Sequence, residues 1–378
     1  MGRLFQLIAV LLSFVGSFFL TSCSLPQVSA EDRLFLDLSL DYLGRYELPQ
    51  QDFEGTTVGG LSAITYDVQR DRFYVLSDDR GNIAPPRFYT LRLDVPTAPT
   101  TTLGQIAIEQ VTQLQDAAGK PYAPNQLDPE GLALSPRQSL FVVSEGDTAD
   151  IPQLNEYDLD GGQLQTRFRL PERYLPEESA AKGVQNNLSF ESLTINALPG
   201  SAAWVEPFRV FLATEGPLQQ DLDADVAIAP KNRFLHYLIG QDQSTLISEH
   251  LYPLDMGPTG TLLTGLSELL TLDQGGHFLA MERSLGFKGF DIRLYQLSSG
   301  GATDISTVES LKGDVSGIQP IQKRLLLNLA DLDVPLDNFE GMTLGPDLPG
   351  GDRSLILISD NNFEADQPTQ VLAFRLKQ

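Results

Sequence analysis

The sequence predicts an all-β fold, a β-propeller built from four-stranded antiparallel blades. From residue 30 onward, short runs rich in β-branched and aromatic residues are bounded by Gly, Pro, Asp and Asn, and helical periodicity is almost absent. A pair of apolar strands bracketed by acids returns about every seventy residues, and self-similarity at a fixed period marks a repeat architecture. Two β-sandwiches would also hold many short strands, but they would not repeat the same acidic brackets.

The first thirty residues read as an address. Arg3 precedes an almost unbroken apolar run over residues 4–20, the pattern of a secretory signal. Leu20-Thr21-Ser22-Cys23 resembles a bacterial lipobox, whose cysteine is diacylated and becomes the new N-terminus, and Cys23 is the only cysteine in the chain. Residues 1–22 are thus expected to be a lipoprotein signal peptide, 23–32 the lipidated cysteine and a linker, and 33–378 the folded domain. The expected place is the bacterial cell envelope, on the periplasmic side or outer membrane, with the membrane touched only through lipid. An uncleaved anchor and cleavage after Val28-Ser29-Ala30 are the competing readings, though the run is short for a comfortable span. With Cys23 lipidated no disulfide can form, so the core alone must hold the fold in an oxidising compartment.

The repeat then runs through the rest of the chain. Its first copy pairs Gly59-Gly60-Leu61-Ser62-Ala63-Ile64 with Phe73-Tyr74-Val75-Leu76-Ser77-Asp78-Asp79, and lacks the opening carboxylate. The clearest copy pairs Asp128-Pro129-Glu130-Gly131-Leu132 with Phe141-Val142-Val143-Ser144-Glu145. Phe190-Glu191-Ser192-Leu193 with Leu212-Ala213-Thr214-Glu215, and Ser267-Glu268-Leu269 with Ala280-Met281-Glu282-Arg283, are the third and fourth. Asn338-Phe339-Glu340-Gly341-Met342 with Ile358-Ser359-Asp360-Asn361 is the last. An aromatic-rich third strand follows each pair, as in Arg87-Phe88-Tyr89, and usually a fourth, as in residues 163–170. Residues 34–48 have no unit of their own and are expected to close the last blade against the first, removing free edges. Five units are counted; residues 320–329 form a spare strand pair that leaves a sixth open.

The hairpin brings each acid pair together. Glu130 and Glu145 stand at the start of one strand and the end of its antiparallel partner, as do Glu268 with Glu282, Glu191 with Glu215 and Glu340 with Asp360. In a propeller these ends fall on one face around one axis, with Asp78 beside them. Such a ring repels itself unless protons or cations occupy it, and oxygen-only ligands suit Ca²⁺. The bland alternative is turn chemistry, since Asp and Glu beside Gly are common in loops.

Glu130-Gly131-Leu132, Phe190-Glu191-Ser192-Leu193, Asn338-Phe339-Glu340-Gly341-Met342 and Ser359-Asp360-Asn361-Asn362-Phe363 resemble, in order and spacing, the family called esterase-like activity of phytase. Gly60-Leu61-Ser62 with Ser77-Asp78-Asp79-Arg80 resembles that family's opening motif. The resemblance covers about residues 55–376 and implies an exported bacterial domain hydrolysing phosphate esters. The Asp-rich opening motif and the Asn-Asn-Val-Asp-Ile-Arg-like motif of the alkaline β-propeller phytases are missing from this sequence.

Other chemistries find little support. The formal charge of −24 excludes a nucleic-acid binder, which needs a basic stripe. No Gly-x-Ser-x-Gly elbow exists, and His236, His250 and His277 lie outside any zinc pattern. Asp221-Leu222-Asp223-Ala224-Asp225 has the alternating acids of a calcium loop but not the Gly and Glu an EF-hand requires. A phosphate reader needs cations beside its carboxylates, and Arg80 and Arg283 directly follow Asp79 and Glu282; the alternative for each is an ion pair with a neighbouring acid. The leading expectation is a monomeric calcium-dependent phosphoric-ester hydrolase acting on a small phosphate ester. Its rival is a non-catalytic propeller whose calcium ring stiffens a scaffold for a ligand or partner.

Overall fold

The computed structural model describes residues 34–100, 104–196, 206–225, 227–241, 243–364 and 366–378. Two compact units are distinguished, Met1–Leu36 and Asp37–Gln378, and every blade belongs to the second. The expectations for Cys23 and the signal segment lie outside the described residues. Among the described residues no helix is long and apolar enough to cross a membrane.

The architecture is a five-bladed β-propeller. After β1 (Ser39–Leu48) comes a small hairpin, β2 (Gln51–Phe53) and β3 (Thr56–Val58). The first blade is β4 (Leu61–Asp67), β5 (Arg72–Ser77), β6 (Arg87–Leu93) and β7 (Ile106–Gln113). The second is β8 (Pro129–Leu134), β9 (Ser139–Ser144), β10 (Gln153–Asp158) and β11 (Leu164–Phe168). The third holds β12 (Phe190–Asn196), β13 (Phe208–Thr214), β14 (Lys231–Ile239) and β15 (Ser244–Pro253). The fourth holds β16 (Thr261–Thr271), β17 (His277–Gly286), β18 (Gly289–Ser298) and β19 (Gln322–Asn328). The fifth is β20 (Asn338–Asp347), β21 (Arg353–Asp360) and β22 (Thr369–Lys377), and β1 completes it as the outer strand, pairing Leu48 with Thr369 and Ser39 with Lys377.

That closure is the one the sequence predicts, and it ties the two ends of the domain into one sheet. The stretch that left a sixth blade open is instead the outer strand of blade four, where Tyr295 pairs with Leu325 and Ser298 with Gln322. Neighbouring inner strands touch in the order β4, β8, β12, β16, β20 and back to β4, which closes the ring.

The middle strands are covered on both faces by adjacent blades, so they read as continuous apolar runs, fully buried over β9 and nearly so over β13 and β21. Each blade junction carries its own apolar cluster. Phe141 and Phe208 meet between blades two and three and Phe211 and Phe278 between three and four, and Leu294 and Phe374 share the cluster between four and five. Ile64 and Ile358 share the fifth-to-first junction, and Tyr74 and Leu132 the first-to-second. Burying apolar surface at about 25 cal/mol per Å² at every junction stabilises a ring that has no disulfide.

The strand starts converge on one mouth of the channel, and glycine makes the approach tight enough. A Cβ on Gly131 would collide with the carbonyl oxygen of Glu191 on the next inner strand. One on Gly341 would stand 2.6 Å from Ile358 and 3.0 Å from the Ala63 backbone.

Candidate functional site

A β-bulge recurs at the same place in every inner strand. The register slips between Leu61 and Ala63, Pro129 and Gly131, Phe190 and Ser192, Leu266 and Glu268, and Phe339 and Gly341. The residues left unpaired are Ser62, Glu130, Glu191, Ser267 and Glu340, and a bulge re-aims its side chain, here onto the mouth. The pairs just before the slips are Leu61 with Ser77, Pro129 with Ser144, Phe190 with Thr214, Leu266 with Glu282 and Phe339 with Ser359. The residues following those partners form a second ring: Asp78, Glu145, Glu215, Arg283 and Asp360.

Blade four therefore departs from the spacing read in the sequence. Glu268 takes the place that Ala63, Gly131, Ser192 and Gly341 hold elsewhere, and Glu282 the place of Ser77, Ser144, Thr214 and Ser359. A shift of one residue turns a strand side chain to the other face, so both leave the ring. The Glu268 carboxylate accepts the backbone N–H of Leu269 at 2.8 Å and of Leu193 on blade three at 3.2 Å. Glu282 accepts the Tyr252 hydroxyl at 2.6 Å and the Asp255 N–H at 3.1 Å, and pairs with Lys323. Arg283 stands where the other blades place an acid. Its guanidinium binds Glu215 at 2.8 Å, Glu191 at 3.5 Å and Glu340, making it a built-in counter-ion.

Carboxylate oxygens gather in two trios. Asp78, Asp128 and Glu130 form one at the junction of blades one and two, with ligand atoms within 4.8 Å of one another; Glu145, Glu191 and Glu215 form the other at the junction of blades two and three. Asp128 is a member that the motif spacing alone did not single out; the signal was its place two residues before the bulged Glu130. Arg80 lies between the trios, 2.5 Å from Asp128 and 4.0 Å from Glu145. Glu340 and Asp360 complete the mouth. Asp360 accepts the N–H of Asn362 at 2.7 Å, and Glu145 that of Ser189 at 2.7 Å, so each is partly engaged with backbone.

The site remains short of positive charge. Eight carboxylates (Asp78, Asp128, Glu130, Glu145, Glu191, Glu215, Glu340 and Asp360) face two arginines. Buried oxygens of Asp128, Glu191 and Glu340 have no hydrogen-bond partner. An unpaired buried acceptor costs about 1–3 kcal/mol, more if charged, and such a cost in the middle of a site calls for a ligand. Burial pushes Glu145 and Glu340 up to about 8, with Glu215 adding to both by repulsion. Asp360 rises to about 6, again chiefly from burial. Burial followed by neighbouring acids holds Asp78, Glu130 and Glu191 well above the ordinary carboxylate range. Asp78 and Glu130 keep some solvent contact at the mouth but are ringed by protein, which is why burial still dominates.

The alternating acids of residues 221–225 do not make a cation loop. Asp221 is spent on the fully buried Arg233 at 2.6 Å, Asp223 on Lys231 at 2.7 Å, and Asp225 accepts the N–H of Ala227.

Structures with a related course of the chain are distant. The catalytic domain of a Coprinopsis cinerea GH62 α-L-arabinofuranosidase is 8% identical with a TM-score of 0.42, aligning 90% of this chain and 98% of its own. The RS223 β-xylosidase is 11% identical with a TM-score of 0.44, over 85% and 93%. The N-terminal domain of Nup159 is 10% identical with a TM-score of 0.36, over 90% and 96%. No curated protein sequence matches significantly. The sequence profile of the phytase-like family, described as esterase-like activity of phytase, matches residues 56–363 and so takes in all five inner strands and both acid rings. The chain belongs to that family.

Proposed function

We propose that the protein is a calcium-dependent hydrolase of phosphoric esters, exported and anchored to the cell envelope through Cys23, whose catalytic face is the acidic mouth. One observation carries this reading: two adjacent carboxylate trios with buried oxygens that nothing in the protein satisfies. The donors fit a hard cation, because they are all oxygens and no histidine or thiolate joins either trio. Asp78, Asp128 and Glu130 would hold one ion, and Glu145, Glu191 and Glu215 a second. Bound calcium would supply neutralisation of the substrate's charge and polarisation of a phosphoryl oxygen.

The chain's own groups supply the rest. Arg80, over a third exposed beside the first trio, offers a planar fork for a phosphoryl oxygen. Arg283 offsets Glu191, Glu215 and Glu340, which leaves most of the cation deficit on the side of blades one and two. Family membership supports the hydrolase class.

The test is phosphate release from phytate and from a generic phosphodiester by the full chain, in millimolar calcium and in chelator. Calcium-dependent turnover, lost in Glu130→Gln, is the expected result. Calcium binding without phosphate release from either substrate would leave the mouth as the stiffened scaffold of a binding propeller. For the anchor, wild type and Cys23→Ala are grown with labelled palmitate in a lipidating bacterium; label on wild type alone is expected, and no label on wild type refutes it.

A further inference from the structure

We propose that a concavity beside the acidic mouth receives an apolar organic group of the substrate, so that the site prefers aryl phosphate esters to bare polyol phosphates. This rests on the phosphoric-ester reading above for the position of the phosphate. The concavity has a volume of about 400 Å³ and lies between the 217–231 segment of blade three and the start of β16. Leu222, Ile228, Met256, Leu262 and Leu263 line it, and all five are large apolar side chains left 39–67% exposed. Exposed apolar residues scattered singly need no explanation, but five lining one hollow mark a binding surface.

Its position gives the occupant. Thr264 and Pro217 also line the hollow. Thr264 precedes Gly265, whose missing Cβ leaves room for the Glu215 carboxylate, and Pro217 lies two residues beyond Glu215. Glu215 belongs to the second trio, so the hollow borders the same two segments that carry the proposed cation site. Blade four makes the wall by growing. β16 begins six residues before its bulge, whereas β4, β8, β12 and β20 begin within two residues of theirs. The added length pairs Leu263 with Leu285 and Thr261 with Gly286, lifting an apolar ladder above the mouth. Three of the four carboxylates that border the hollow are paired with cations, Asp221 with Arg233, Asp223 with Lys231 and Asp255 with Lys323, and the fourth, Asp225, accepts the N–H of Ala227. The five large apolar side chains then supply most of the contact surface left to a ligand, with Asp225 and the Thr261 and Thr264 hydroxyls as its polar rim.

Two probes separate this inference from the reading it rests on. Calcium-loaded full chain is titrated with 1-naphthylphosphonate, methylphosphonate and 1-naphthol, for wild type and Leu262→Gln, an exposed position whose substitution leaves the core intact. The naphthyl compound is expected to bind at least about tenfold more tightly than the methyl one, the range one apolar contact surface provides, and Leu262→Gln should narrow that gap. Equal affinity for the two phosphonates, or a gap unmoved by Leu262→Gln, overturns the inference. Naphthol binding that Leu262→Gln weakens, with neither phosphonate bound, sustains the apolar site and overturns the phosphoric-ester reading instead.

Discussion

Stripped of cations, the folded protein should lose stability as the pH rises, which is the reverse of the usual behaviour of carboxylates. Glu145 and Glu340 are pushed from 4.5 up to about 8, and Asp360 from 3.8 to about 6, with burial as the largest cause in each. Between the unfolded and folded values the folded chain holds protons that the unfolded chain has released, so stability falls with rising pH. For the two glutamates the contribution is complete below about pH 4.5 and gone above about pH 8, and for Asp360 it is complete below about pH 3.8 and gone above about pH 6. At ~1.36 kcal/mol for each tenfold, moving a carboxyl from 4.5 to about 8 is worth about 5 kcal/mol. That is comparable with the ~5–15 kcal/mol net stability of a domain. At ~2.1 cal/mol/K of unfolding entropy per residue, a domain of this length shifts by roughly 1.4 °C per kcal/mol, so one such group corresponds to ~7 °C. The assay is thermal unfolding in chelator at pH 5.5, 7 and 8.5, repeated in millimolar calcium. The melting temperature in chelator should fall across the series, and calcium should flatten the fall, because metal binding takes up the deprotonated ligands. A melting temperature in chelator that is level or rises from pH 5.5 to 8.5 would refute the reasoning.

Three substitutions extend this. Arg283→Met removes the counter-ion of Glu191, Glu215 and Glu340, and should cost about 3–5 kcal/mol in chelator, with part of the loss restored by calcium; unfolding curves with and without the ion check it. Gly131→Ala drives a methyl group into the Glu191 carbonyl and should destabilise by at least about 1–3 kcal/mol, read from denaturant midpoints at pH 5.5, where Glu145 and Glu340 are neutral. Glu191→Gln should reduce the calcium-dependent rise in melting temperature, whereas Glu268→Gln, which sits outside both trios and caps backbone N–H groups, should leave that rise within about 0.5 kcal/mol of wild type.

The propeller was legible because the repeat writes its hydrophobic pattern and its acids at the same places in each unit. Even the closing strand could be read, since residues 34–48 had strand character and no unit to join. Three carboxylates of the inner ring, Glu130, Glu191 and Glu340, were equally plain, each followed by a small residue that the bulge needs. Blade four was misaligned because Ser267-Glu268 looks like another acid bracket, while a bulge leaves no letter of its own in a sequence. Blade four also lacks the hydroxyl residue that precedes the mouth residue elsewhere (Ser77-Asp78, Ser144-Glu145, Thr214-Glu215, Ser359-Asp360), so neither half of its hairpin marked Arg283 as the odd member. Asp128 could not be ranked from spacing, because its partner Asp78 comes from another blade. The count of blades turned on residues 322–328, whose partner strand is fixed by pairing across blade four and not by any local signal.

Calcium binding to the purified full chain, measured by isothermal titration at pH 7.5, tests most directly whether the mouth is a cation site. The expected result is two ions per chain, with one lost in Glu130→Gln, one weakened in Glu191→Gln, and both retained in Glu268→Gln. No saturable binding, or an equal loss in Glu268→Gln and Glu191→Gln, would contradict it.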